Sequence, residues 1–157
     1  MFDITLARAL HVAAIVHWIG GVTFVTLVLL PGVHRLAEPT ERARLFEAIE
    51  SAFSWQAKIS VTLAGLTGFY MTHRLAAWGR FLDPAFWWLH AMVAIWAVFS
   101  IVLFVLEPLF LDQWFQRQMQ SQPGGTMAIV QRGHLVLMTL SLVTVLAAVL
   151  GSHGALY

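Results

Sequence analysis

Cysteine is absent from the 157-residue chain. That excludes disulfides, thiolate metal sites, iron–sulfur clusters, c-type haem attachment and cysteine nucleophiles. Charge is scarce as well. Asp, Glu, Lys and Arg make up 11% of the residues, against about 25% in an ordinary soluble domain. The charges nearly cancel, to +1 with neutral histidines, so the balance gives no reason to expect nucleic acid as a partner. No zinc-protease motif, phosphate loop or one-faced carboxylate pair is present, which leaves a hydrolase without support. Internal repeats and a second, soluble domain are also missing. What the chain has is apolar surface: 59% of its residues are hydrophobic and its mean hydropathy is +0.76. That composition rules out a disordered chain and argues against a soluble globule. An integral membrane protein remains. Seven His and six Met are the side chains left to ligate a metal.

A membrane-spanning helix needs roughly 20 apolar residues. The stretches 9–33, 84–106 and 133–157 carry no Asp, Glu, Lys or Arg. A shorter run, 59–73, lies between Lys58 and Arg74 and spans if Lys58 snorkels. The sequence therefore predicts an all-α, integral membrane four-helix bundle, a single domain with helices at about 5–31, 54–73, 85–107 and 129–152. The first run is too long for a signal peptide, carries Asp3 ahead of it and lacks a small-x-small cleavage site, so it is expected to be retained.

Four spans place both termini on one side. Arg8, Arg74 and Arg80 belong to that side; Arg35, Arg42, Arg44, Lys58, Arg117 and Arg132 belong to the other. The positive-inside rule makes the richer side cytoplasmic and both termini external, in a bacterial inner membrane. The segment at about 40–53, with Thr40 as N-cap and Leu45, Phe46, Ile49 and Phe53 at helical spacing, predicts an amphipathic helix lying on the membrane, or a helix that docks a partner. Pro123-Gly124-Gly125 is expected to break the second cytoplasmic loop. Trp55, Trp78, Trp87, Trp88 and Trp114 fall near helix ends and read as an interfacial belt. Glu107, before Pro108, is expected to end the third helix.

The histidines are the most informative feature, because ionisable groups inside a membrane are costly and mark function. On this topology His11, His73, His90 and His153, from four different helices, gather in the outer third. His17 lies near the centre, and His34 and His134 lie towards the cytoplasm. His11 shares a face with Arg8, Ile15 and Trp18; His90 shares one with Trp87, Ala94, Ala97 and Ile101. Ala94 and Ala97 leave a slot beside the helix, and Gly65 and Gly68 allow close helix approach or room for a flat ligand. Two imidazoles at matching depth can hold the two faces of one haem iron. His11 and His90 are thus the expected axial ligands, with His17, His73 and His153 in reserve. Arg8 and Arg74 are candidates to pair with haem propionates, or are plain flanking charge. Trp18 is placed to shape the pocket. His17 sits about 120° around the helix from His11, and a second haem on His134 would need another ligand at its depth. Met71-Thr72-His73 and His90-Ala91-Met92 keep copper as an alternative cofactor, although ligands two apart on a helix chelate poorly.

Ala9-Leu10-His11-Val12 followed by Trp18-Ile19-Gly20-Gly21 and Leu30-Pro31 resembles the first helix of the copper-resistance protein D-like membrane domains. It is also similar to the bacterial four-helix protoporphyrinogen oxidase of the HemJ type. Arg44-Leu45-Phe46 leading into Leu63-Ala64-Gly65-Leu66-Thr67-Gly68 fits the second helix of that group, and Trp88-Leu89-His90 fits the third. The resemblance covers about two-thirds of the chain. It implies a four-helix haem b protein with His11 as the first-helix histidine and His90 as the third-helix one. The oxidase-type proteins carry Lys two residues after that His, where this chain has Met92. They also carry an Asn-Glu-x-Pro-like element after an Arg at the start of helix 4, where this chain has Arg132-Gly133-His134-Leu135.

The expected function is electron transfer through b-type haem in the outer half of the membrane, to or from a quinone, a redox protein or a small oxidant. A porphyrinogen-oxidising enzyme, a copper transport or resistance protein, and a haem carrier are the alternatives. The lipid bilayer is the expected surrounding, and a homo-oligomer is compatible with the sequence.

Overall fold

A computed structural model describes residues 1–36 and 38–156. It is all-helical among those residues and forms four rods. The first runs through α1 (Phe2–Phe24), a π-helical stretch Val25–Leu29 and α2 (Leu30–Leu36). The second is a single helix, α3 (Pro39–Arg74). Two 3₁₀ turns, Ala77–Leu82 and Pro84–Phe86, lead to the third rod: α4 (Trp87–Ile101), a π-helical stretch Val102–Leu111 and α5 (Asp112–Ser121). The fourth is α6 (Pro123–Ser152).

Three stretches, Phe2–Arg35, Pro84–Leu111 and Gly124–Ser152, are long and apolar enough to cross a membrane. Their exposed side chains include Val12, Val16, Val28, Phe110, Val143 and Leu146, which suit contact with lipid. The rods extend beyond the expected spans. At about 1.5 Å per residue, the 36 residues of α3 measure about 54 Å.

That length corrects the reading of 40–53. The segment is not a separate helix on the membrane surface. It is the first half of α3, whose start follows Glu38 in extended conformation, so Thr40 lies inside the helix and does not cap it. The Thr40 side chain is outside the described residues. Phe46, 1% exposed, turns inward. It packs with Val25, Leu30, Val33, Phe115 and Met127 into a core of its own. A second core, nearer the termini, holds Trp18, Ile19, Val22, Ala57, Val61, Phe99, Leu103 and Met138. The third rod does not end at Glu107 either. It continues through Pro108 by widening into π geometry, a common way to absorb a proline that cannot donate its N–H. Pro123 starts α6, a position where the missing N–H costs nothing, so the expected breaker falls at the helix boundary.

Around the bundle α1 packs on α3, α3 on α4, α4 on α6 and α6 on α1. α1 and α4 face each other across the diagonal, where Trp18 meets Phe99 edge to face with ring centroids 4.7 Å apart. Glycine lets rings into the seams. A Cβ on Gly21 would fall within the Phe53 ring, and one on Gly151 would strike the Trp88 indole. Trp88, expected in the interfacial belt, is therefore buried, 5% exposed, while Trp55, Trp78 and Trp87 stay exposed.

Candidate functional site

The end of the bundle that carries the termini holds four of the histidines. His11 projects from α1 onto α3 and is half-buried. Its Nδ1 lies 2.9 Å from the Ala64 carbonyl and 3.0 Å from Thr67 Oγ1. The Thr67 hydroxyl donates its own hydrogen to the Leu63 carbonyl at 2.6 Å, so towards His11 it can only accept. A backbone carbonyl can also only accept. Both neighbours thus require a hydrogen on Nδ1, and the neutral ring keeps its lone pair on Nε2. Gly68 completes the seat: a Cβ there would lie 3.1 Å from His11 Cε1.

The same reasoning fixes other rings. His90 Nε2 donates to the Phe81 carbonyl at 3.0 Å, leaving the lone pair on Nδ1, and Phe81 packs edge-on against the imidazole at 5.4 Å. His134 and His153 donate from Nδ1 to the carbonyls four residues back, of Val130 and Val149. His34 is different. Its Nδ1 faces Arg42 Nη1 at 3.3 Å, and since guanidinium only donates, that lone pair is occupied. His17 shares a hydrogen bond of 2.9 Å with Ser60 on α3. His73 is exposed at the end of α3.

His11 and His90 are therefore not brought face to face. One turns to α3 and the other to the connection between α3 and α4. That connection folds back over the bundle end: Trp78 stacks on Phe69 at 6.3 Å, and Ala76 turns the chain with a φ of +49°. The space expected beside Gly65 and Gly68 is filled by protein. The Trp96 indole occupies the first, donating to the Val61 carbonyl at 2.9 Å, and His11 occupies the second. Of the two arginines, Arg8 is exposed and Arg74 is committed to Asp3 through Nε at 3.0 Å and Nη2 at 2.8 Å. The carboxylate pushes the guanidinium further above its ordinary value. Tyr70 donates to the same Asp3 oxygen at 2.9 Å.

Trp18 is buried on the His11 face of α1. Its Nε1, like Trp88 Nε1 and Ser100 Oγ, has no hydrogen-bond partner among the described residues. A buried donor without an acceptor costs about 1–3 kcal/mol. Among the described residues, no three His, Asp or Glu gather into a metal-binding group. At the opposite end a cleft of about 180 Å³ lies between Leu30, His34 and Met127.

One polar cluster was missed by the sequence reading. Lys58 does not snorkel alone: its Nζ lies 3.0 Å from Glu107 Oε1, and Ser54 donates to the same oxygen. The signal was available as opposite charges at matching depth, one on each of two apolar runs. No family model, curated protein or solved structure matches the chain.

Proposed function

We propose that the chain is a four-helix integral membrane bundle that binds b-type haem at the end carrying its termini and exchanges electrons with a quinone or a redox protein. The four rods would cross the bilayer, with both termini outside the bacterial inner membrane, as the three-to-six division of Arg and Lys suggests. One observation carries the haem reading: His11 is held as the Nδ1–H tautomer, with its Nε2 lone pair unspent. This is the state of a ligating imidazole, whose other nitrogen donates to a carbonyl that fixes the ring and raises its basicity.

On the His11 side the chain offers one ligand nitrogen. The Trp18 N–H lies without an acceptor on the same face of α1. On the second side His90 keeps a lone pair on Nδ1 while its Nε2–H stays on the Phe81 carbonyl, so it would ligate through Nδ1. Bound haem supplies reversible one-electron exchange. The chain's own residues do the rest. Ala64 and Thr67 orient His11, Gly68 admits its ring, and exposed Arg8 offers positive charge to propionates. Porphyrinogen oxidation is not favoured, because Met92 supplies neither charge nor an exchangeable proton.

The test is an optical spectrum of the protein purified from membranes of haem-replete cells, oxidised and then reduced. Sharp reduced α and β bands that disappear in His11→Ala are the expected result. A colourless wild-type protein would end the haem reading.

A further inference from the structure

We infer that Ser54, Lys58 and Glu107 form the headgroup site of a lipid-borne quinol or quinone. The cluster sits where such a headgroup resides. Lys58 precedes Arg74 by 16 residues, about 24 Å along α3, and Glu107 follows Trp87 by 20 residues, close to 30 Å along the third rod. A hydrocarbon core about 30 Å thick that begins at the Arg74–Trp87 level therefore ends at this cluster. The Lys58 and Glu107 side chains are 25% and 24% exposed, so the pair is reachable from the surface of the bundle. The π-helical stretch that presents Glu107 is a geometry frequent at functional sites.

The unspent hydrogen-bonding capacity defines the ligand. Ser54 and Lys58 both engage Glu107 Oε1, while Oε2 has no partner among the described residues. The Lys58 ammonium has used one of its three hydrogens. The site thus offers free acceptors beside free donors. A ring bearing O–H or C=O groups uses both in either oxidation state. Lys58 and Glu107 neutralise each other, so the pair holds no surplus charge for a phosphate headgroup. Trp55, 66% exposed, with Ile59 and Phe104, supplies exposed apolar surface beside the polar atoms for a flat ring and its tail.

This assignment takes its physiological sense from the redox reading above, but binding itself does not require haem. The experiment uses the full chain in phospholipid nanodiscs, photolabelled with an azido-quinone and mapped by mass spectrometry. Label is expected on the peptides containing residues 54–59 and 102–111, displaced by unlabelled quinol. Glu107→Gln should weaken it about tenfold, the scale of one charge-assisted hydrogen bond, while Lys58→Arg retains it. If Glu107→Gln does not fold, Ser54→Ala should weaken labelling about threefold by loosening the carboxylate. Label elsewhere, labelling indifferent to these variants, or displacement by anionic phospholipid but not by quinol overturns the assignment. Labelling of a colourless protein upholds the site and ends the haem reading; a haem spectrum without labelling does the reverse.

Discussion

Replacing Gly65 by alanine puts a methyl group where the Trp96 indole already sits. The new Cβ would lie 2.7 Å from Cε2, Cζ2 and Nε1 of that ring, so something must move. The indole is not free to do so. Its N–H is bonded to the Val61 carbonyl at 2.9 Å, and its face meets Phe69 edge-on at 5.5 Å. Overpacking of this kind costs about 1–3 kcal/mol. Loss of the indole hydrogen bond adds about 0.5–1.5 kcal/mol. Against these stands the gain of about 1 kcal/mol from removing a helical glycine. The net expectation is a loss of about 1–3 kcal/mol. Gly20 and Gly133 provide the control, since a Cβ at either meets nothing within 4 Å; alanine there should stabilise by about 0.5–1 kcal/mol. Unfolding of the three variants in mixed detergent micelles, followed by circular dichroism during titration with SDS, measures the difference. A Gly65→Ala protein as stable as Gly20→Ala would show that Trp96 does not fill the seam between α3 and α4.

Four further outcomes are expected. Thr67→Val removes one of the two acceptors at His11 Nδ1 while Ala64 remains, so stability should fall by about 1 kcal/mol in the same titration with haem still bound. His34→Ala should leave the haem spectrum unchanged, because its lone pair already faces Arg42; a changed spectrum would refute that assignment. Asp3→Asn should leave the melting temperature within error, because Asp3 and Arg74 are exposed and screened by salt. Reporter fusions to the two chain ends should report the same side of the membrane, and opposite sides would exclude four crossings.

The apolar rods were legible because their signal is composition over 20 or more residues, which neighbours cannot override. α3 was divided in the sequence reading because 40–53 is amphipathic and charged where 54–73 is apolar, yet helical continuity depends on backbone bonds that run through such a change unbroken. Pro108 read as a terminus because proline usually ends a helix, and whether a π stretch forms instead depends on packing. His11 stood out as a histidine among apolar neighbours, but its partners Ala64 and Thr67 lie more than 50 residues away. Gly65 and Gly68 announced either close helix approach or a flat ligand, and rings of the protein itself lie against both. A glycine records that something comes close, not whether it is a ring of the protein or of a ligand.

The unbroken course of α3 has a mechanical consequence. One rod, about 54 Å long, runs from the Arg74 end of the bundle to the core around Phe46 without a hinge. A rotation of about 5° at the Arg74 end carries the opposite tip sideways by about 5 Å over that length. Whatever tilts the Arg74 end is thereby converted into displacement of the far core. The helix is a lever whose working end is the core around Phe46.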